Sequence, residues 1–213
     1  MELTVTMTEP FTKGKGRVSV FLNDRFAFVL YKGELSQYGL EIGSIVDDDL
    51  YDRILKETLI PRARKRAMNL LKTIDRTEAD VRRKLFEGGY PQEAVEAAIE
   101  YLRSYHYLDD MRYATEYIRF KLQTMSRRQI TAKLSEKGID KHTIEEAFAS
   151  YEEESGEDSG ESEKALIRKL ISKRCPQGVE NLDYESRQKL YGYLYGKGFS
   201  MAVIDDVMRS LDH

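Results

Sequence analysis

The sequence lacks several features that define large classes of protein. Its 213 residues include one cysteine, Cys175, and no tryptophan. A single cysteine excludes an intrachain disulfide and the cysteine sets of structural zinc sites. No window approaches the roughly 18 consecutive apolar residues of a membrane-spanning helix, and the N-terminus has neither the basic start nor the apolar stretch of a signal peptide. These absences predict a cytoplasmic protein with no membrane partner.

Patterns typical of catalysis are also missing. The three histidines are scattered, and Gly14-Lys-Gly-Arg lacks the spacing and the Ser/Thr of a phosphate-binding P-loop. Asp109 and Asp110 are adjacent carboxylates, but they directly precede an amphipathic stretch. Capping of a helix start explains them better than a metal site or an acid–base pair. We therefore expect no enzymatic activity, no cofactor and no metal.

Charge is abundant and segregated along the chain. The total of 34 Lys/Arg against 37 Asp/Glu leaves a net charge of only -3. Residues 61–90 nevertheless carry a balance of +5, and residues 119–141 carry +5 again. Residues 91–118 sum to -4, and residues 145–163 contain nine acidic residues and no basic one. Basic segments thus alternate with acidic ones, which suggests a repeated surface pattern.

The first 31 residues alternate between apolar and polar side chains, as β-strands do. The alternating residues are Val18, Val20 and Leu22, then Phe26, Phe28 and Leu30. Asn23-Asp24 between them tolerates the positive φ of a tight hairpin turn, and Gly14 and Gly16 mark an earlier turn. We expect a three-stranded antiparallel sheet that packs on a helix containing residues 50–55, because two strands alone are marginally stable.

From Pro61 onward a helical unit occurs three times. Matched positions are displaced by 49 residues between the first and second units (Thr77 to Ser126) and by 60 between the second and third (Ser126 to Ser186). In each unit a hydroxyl residue caps a helix, apolar residues four apart face inward, and a glycine ends the helix before a large apolar residue. The inward pairs are Val81/Leu85, Ile130/Leu134 and Leu190/Leu194; the glycines are Gly89, Gly138 and Gly198.

An amphipathic helix before each cap and a short one after each glycine complete three helices per unit. The third helices carry the inward pairs Val95/Ile99, Ile144/Phe148 and Ile204/Met208. The predicted fold class is mainly α, with three tandem three-helix repeats in an elongated curved array and a small N-terminal antiparallel β segment. The predicted divisions are 1–60 (β segment plus helix), 61–108, 109–151 and 163–213 (repeats), and 152–162, an acidic linker whose composition favours solvation.

Several motifs resemble the RecX family of regulatory proteins. The most specific are Tyr107-Leu-Asp-Asp-Met-Arg-Tyr-Ala114 and the paired corners at 84–90 and 133–139, and residues 20–28 look like the β extension of versions from Gram-positive bacteria. The resemblance implies a protein that lies in the groove of a RecA filament on single-stranded DNA. It implies modulation of filament assembly, ATPase and strand exchange in homologous recombination, DNA repair and the SOS response. We expect that the protein inhibits these filament activities and that it acts as a monomer.

The basic runs of the second helices are the candidate contact surface. They flank the inward pairs and therefore point outward, where solvation is the usual role of charge. Repetition on successive units favours binding to phosphates or to an acidic protein groove. The candidate partner- or DNA-binding residues are Arg82, Arg83, Lys84, Arg119, Lys121, Arg127, Arg128 and Lys133.

An alternative hypothesis is an autonomous DNA-binding regulator with helix-turn-helix-like units. The acidic third helices argue against base readout, because they would repel phosphates. Weak, sequence-independent DNA contact through the basic helices stays open.

Overall fold

The structure is a computed structural model that describes residues 2–156, 158–180 and 182–211. Glu157 of the predicted linker and the chain end at 212–213 lie outside the described residues. The chain divides into two compact units, Met1–Asp109 and Asp110–His213. Helices predominate in both, and the first contains an antiparallel sheet. The predicted fold class, mainly helical with an N-terminal β segment, is confirmed.

The β segment is a four-stranded antiparallel sheet with strand order β3-β2-β1-β4. Its strands are β1 (Leu3–Pro10), β2 (Arg17–Leu22), β3 (Arg25–Tyr31) and β4 (Ile45–Val46). Asn23 and Asp24 form the predicted hairpin turn, with φ of 46° and 64°. The prediction of three strands missed β4. Two residues are too few to show any periodicity, and β4 exists because it pairs with Leu3 and Thr4.

Helices follow the sheet in the first unit. They are α1 (Lys32–Gln37), α2 (Asp48–Ile54), a π-helical segment (Leu55–Leu59), α3 (Ile60–Leu71), α4 (Glu78–Phe86) and α5 (Gln92–Ser104). The run from α2 through α3 is continuous, and the N–H of Ile60 donates to the carbonyl of Leu55, five residues back. Pro61 has no N–H to donate into the preceding turn, which favours this wider winding. The helix predicted at 50–55 is thus continuous with the first helix of the repeat.

One hydrophobic core joins the sheet to the first repeat, and it includes Phe28 of β3 and Leu85 of α4. The backbones meet where the N–H of Val29 donates to the carbonyl of Gly89 at 3.1 Å. Gly89 has φ +81°, and a Cβ there would collide with the Val29 side chain. Only glycine tolerates both the positive φ and the close approach of Val29. This predicted helix-ending glycine therefore also allows the β segment to pack against the repeat.

The second unit contains two three-helix cores. The helices are α6 (Asp110–Lys121), α7 (Arg127–Glu136), α8 (Lys141–Ser155), α9 (Ser159–Arg174), α10 (Tyr184–Gly196) and α11 (Met201–Leu211). All inward pairs predicted for the three repeats are buried. Gly138 and Gly198 have φ of 83° and 87°, and Ile139 and Phe199 after them are buried, as predicted.

Helix start sites match the prediction in two repeats and differ in the third. The side chains of Thr77 and Ser126 each accept a hydrogen bond from the N–H three residues on, both at 3.3 Å. Ser186 was predicted to do the same for the third repeat, and this is wrong. Asp183 is the cap, and its Oδ1 accepts from the N–H of Ser186 at 2.8 Å. Both residue types cap well, and the earlier one starts the helix here.

The segment predicted as a solvated linker, 152–162, is mostly helical. α8 continues to Ser155 and α9 begins at Ser159, so the interruption is short. Ser159 and Glu163 are buried. The Oε1 of Glu163 accepts a hydrogen bond from the N–H of Arg127 at 3.0 Å. Arg127, which is distant in the sequence, therefore supplies a partner for an acidic side chain of this region. The acidic composition alone favours a solvated chain, but a partnered carboxylate can be buried.

Candidate functional site

The predicted contact residues of the first repeat form one basic cluster on α4. Arg82, Arg83 and Lys84 are each paired with acidic side chains of the same repeat. The partners are Glu78 and Glu96 for Arg82, Asp80 and Glu87 for Arg83, and Glu87 for Lys84. The hydrogen bond to Glu96 raises the pKa of Arg82. Arg83 and Glu96 are exposed, and the other members of these pairs are partly buried. Water therefore screens the pairs in part, and a ligand carboxylate or phosphate can compete for the cations.

In the second unit the predicted residues divide into paired and unpaired cations. Arg119 contacts Glu116 and, at 2.7 Å, Glu154. Lys133 contacts Glu136 at 2.8 Å, and that hydrogen bond raises the pKa of Lys133. Neither Lys121 nor Arg128 has an ion-pair partner within the described part of the chain, and the side chain of Arg128 is exposed. Among the predicted contact residues of the second unit, these two are the ones that a ligand can reach without displacing a carboxylate of the described residues.

Arg127 differs from the other predicted contact residues because it joins three helices. Its guanidinium carbon lies 4.0 Å from the ring centre of Phe148 on α8. Its Nη1 donates to the Oγ of Ser159 on α9 at 2.8 Å and lies 3.5 Å from a carboxylate oxygen of Glu152. The structure therefore gives Arg127 a structural role between the second and third repeats.

The sequence-based candidates missed a strongly basic cleft in the first unit. It has a volume of about 440 Å³ and lies between the β1–β2 turn, the end of β3, α3 and the C-terminal end of α4. Among the residues that the structure describes, one carboxylate, Glu87, lines it. The lining cations are Lys13, Arg17, Arg62, Lys65, Arg66 and Lys84. Of these, only Lys84 was predicted.

Part of this cleft has a signal in the sequence. Arg62, Lys65, Arg66 and Asn69 are spaced three and four residues apart, which places them on one face of α3. They contribute to the positive balance of residues 61–90, but the candidates predicted in the first repeat all lie on its second helix. Lys13 and Arg17 join them only through the packing of the sheet, so no local pattern predicts the complete cleft.

The described ranges contain neither a membrane-spanning helix nor a metal-binding cluster. Among these residues, no helix combines the length and apolar character needed to cross a bilayer. Nor do three or more His, Cys, Asp or Glu side chains of this part of the chain form a group suited to a metal ion.

Each three-helix repeat matches a known domain. Residues 63–102 match the first three-helix domain of RecX, residues 109–147 the second, and residues 161–208 the third. A regulatory protein RecX from Clostridium botulinum (strain Alaska E43 / Type E3) is 30% identical over 205 residues, which cover 96% of this chain and 94% of the relative. The chain belongs to the RecX family.

Other RecX proteins resemble the chain over most of its length. The regulatory protein RecX of Levilactobacillus brevis is 30% identical over 98% of this chain and 76% of the relative. A crystal structure of regulatory protein RecX superimposes with a TM-score of 0.62 at 28% identity, covering 96% of this chain and 98% of the other. RecX from Lactobacillus salivarius gives 0.60 at 27% identity, covering 72% and 97%. The resemblance seen in the sequence is confirmed, and with it a RecX regulatory role.

Proposed function

We propose that this RecX-family chain binds the groove of a RecA filament assembled on single-stranded DNA and inhibits filament assembly, ATP hydrolysis and strand exchange. The observation that carries the proposal is the match of all three repeats to RecX domains. A protein that binds one filament state preferentially shifts assembly and turnover by mass action and needs no chemistry of its own. In this scheme the chain acts as a cytoplasmic monomer.

The basic residues supply the attraction in this proposal. A RecA–DNA filament presents phosphates and acidic side chains, and cations on both units offer contacts to either. Arg128 and Lys133 lie on α7, and Arg82 and Arg83 lie on α4. The cations Arg83 and Lys133 are exposed in their ion pairs, so exchange of an internal carboxylate for a filament group costs little free energy there.

The test is inhibition of the ATPase of a RecA filament by charge-reversed variants. One variant carries Arg82→Glu and Arg83→Glu, and a second carries Arg128→Glu and Lys133→Glu. We leave Arg127 unchanged because its contacts are structural. Loss of about two phosphate contacts raises the concentration for half-inhibition about tenfold at physiological salt.

A matched control carries Lys169→Glu and Lys173→Glu, two exposed residues of α9. It has the same change of net charge, and we expect unaltered inhibition. Unchanged inhibition by both α4 and α7 variants would remove these residues from the proposal. A wild-type protein that neither sediments with the filament nor alters its ATPase would reject the proposed function itself.

The alternative is an autonomous DNA-binding regulator that reads sequence with its third helices. Glu93, Glu96 and Glu100 lie on α5, and they would repel the phosphates flanking a major groove. Tight, sequence-selective binding to duplex DNA without recombinase would favour the alternative. Weak and strongly salt-dependent binding would favour the filament proposal, in which DNA contact is accessory.

A further inference from the structure

We propose that the basic cleft between the β segment and the first repeat binds the phosphates of single-stranded DNA directly, without the recombinase. The inference deepens the proposed function and rests on it for the choice of single-stranded DNA. The cleft is defined by its six cations, Lys13, Arg17, Arg62, Lys65, Arg66 and Lys84.

The charge inside the cleft is far from balanced. Its single carboxylate, Glu87, lies 3.6 Å from the Nζ of Lys13 and 3.1 Å from the Nζ of Lys84. The hydrogen bond from Lys84, together with the charge of Lys13, lowers the pKa of Glu87, so it stays ionised. Of the remaining cations, Arg62 pairs with Glu34, whereas Arg17, Lys65 and Arg66 have no ion-pair partner within the described ranges. These three positive charges line one cleft of about 440 Å³ and repel one another. An anionic ligand would offset that repulsion.

Two of the cations form a partly buried base to the cleft. Arg17 donates from Nη2 to the carbonyl of Gly88, and its guanidinium carbon lies 4.8 Å from the ring centre of Phe11. Arg62 pairs with Glu34 and lies 4.9 Å from the ring centre of Tyr31. These contacts hold both guanidinium groups in place, which lowers the entropy lost when a ligand binds.

Each of the two guanidinium groups also has one buried donor that makes no hydrogen bond within the described ranges. The Nε of Arg17 and the Nη1 of Arg62 are buried, and neither has a hydrogen-bond partner within the described ranges. A buried donor without an acceptor costs free energy, so such atoms point to a group that completes the site. Phosphate oxygens, which accept hydrogen bonds from guanidinium groups well, would supply acceptors.

Lys65 and Arg66 form the accessible part of the cleft. Both side chains are exposed on α3, and neither has an ion-pair partner in the part of the chain that the structure describes. The charge of Arg66 acts on the hydroxyl of Tyr90 together with the charges of Arg62 and Arg17. Burial raises the pKa of Tyr90, and these three cations oppose that rise. The cations therefore converge on one region of the cleft.

A nucleic-acid strand fits this arrangement better than an acidic peptide. A strand carries a phosphate at every nucleotide, so several cations are engaged at once. Tyr31 lines the cleft with its side chain 44% exposed, and an aromatic ring beside a row of cations is the combination that single-strand binders use for bases and phosphates. Asn69 adds an uncharged donor.

The cleft depends on the β segment. Lys13, Arg17 and Tyr31 come from the sheet and its turn, and the other cations come from the first repeat. The two parts meet at the hydrogen bond between Val29 and Gly89. Docking of the sheet on the repeat therefore creates the site, and the repeat alone lacks a third of its cations.

The test measures binding of the full chain to a fluorescently labelled oligothymidylate by anisotropy, over a series of salt concentrations and without recombinase. The variant carries Lys65→Glu and Arg66→Glu, and the control carries Lys169→Glu and Lys173→Glu. Loss of two phosphate contacts weakens binding about tenfold near physiological salt and reduces the slope of log affinity against log salt by about 1.4. The control keeps wild-type affinity within about twofold, and circular dichroism verifies that both variants fold.

Several outcomes overturn the proposal. They are equal weakening by the cleft variant and the control, no weakening by either, no binding by the wild-type chain, and competition by polyglutamate at lower concentration than by unlabelled DNA. Filament ATPase, measured separately, distinguishes this failure from failure of the proposed function. Inhibition of the filament without binding to free DNA rejects the cleft proposal and leaves the proposed function standing. DNA binding through the cleft without any effect on the filament rejects the proposed function and leaves the cleft proposal standing.

Discussion

The guanidinium of Arg127 lies over the ring of Phe148, with 4.0 Å between the guanidinium carbon and the ring centre. This contact links the first residue of α7 to the middle of α8, and the hydrogen bond from Arg127 to Ser159 extends the link to α9. A residue that the charge pattern assigns to a binding surface thus stabilises the second unit. The same charge run contains Arg128, which is exposed and has no such contacts in the described ranges.

Replacement of Arg127 by alanine will therefore destabilise the second unit. The variant loses a cation–π contact and a hydrogen bond, and we expect the free energy of unfolding to fall by about 1–2 kcal/mol. Arg128→Ala is the control, with an expected change within about 0.5 kcal/mol. Urea denaturation followed by circular dichroism measures both. Equal stability of the two variants would show that the contacts of Arg127 contribute nothing.

Gly89→Ala will destabilise the first unit. A left-handed backbone costs an L-residue roughly 1–2 kcal/mol, and collision of the new Cβ with Val29 adds to it, so we expect a loss of more than about 2 kcal/mol. Gly192→Ala is the matched control, because Gly192 lies inside α10 with nothing within 4 Å of the added Cβ. Alanine there should stabilise by about 0.5–1 kcal/mol. A Gly89→Ala protein as stable as wild type would contradict the seating of the β segment at this corner.

The start of α10 provides a test between two neighbouring capping residues. The hydrogen bonds from the backbone and side chain of Ser186 lower the pKa of Asp183, as expected for an ionised cap. Asp183→Ala should therefore lower the melting temperature, and Ser186→Ala should change it less. If Ser186→Ala is the more damaging change, the helix starts at the position that the repeat pattern predicted. Differential scanning calorimetry of the two variants decides this.

Glu163 should make the second unit less stable as the pH rises. Burial raises the pKa of Glu163, and the hydrogen bond and charge of Arg127 only partly oppose this. Because the folded state then binds a proton more tightly than the unfolded state, this group's contribution to stability falls between the ordinary glutamate pKa and the raised one. Above the raised pKa, the loss of stability caused by burying the ionised Glu163 carboxylate no longer changes with pH.

Glu163→Gln removes this titration and can still accept the hydrogen bond from Arg127. The variant should gain stability over wild type as the pH rises through that window, and the gain should be constant above the raised pKa. Asp183 and Asp206 have lowered pKa values and produce the opposite trend, so the difference between the two proteins is the quantity to measure. A difference that does not vary with pH would show that Glu163 titrates normally.

Local interactions explain why much of the fold was predictable. The inward pairs such as Ile130 and Leu134 lie one helical turn apart, and the hairpin at Asn23-Asp24 needs only residues that tolerate positive φ. The glycine corners at Gly89, Gly138 and Gly198 are likewise set by backbone conformation within a few residues. Each of these features depends on neighbours in the chain, so a sequence pattern carries it.

Long-range packing decided the rest. The conformation of residues 158–163 depends on Arg127, which lies more than thirty positions earlier in the chain. Arg127 donates hydrogen bonds to the side chains of Ser159 and Glu163. The pairing of β4 depends on β1, and the basic cleft exists because the sheet meets the first repeat at Gly89. Composition predicts how many charges a segment carries, but the dielectric and the partners of each charge come from residues distant in the chain. Folding therefore determined which cations became structural, as Arg127 did, and which have no ion-pair partner within the described ranges, as is the case for Lys65 and Arg66.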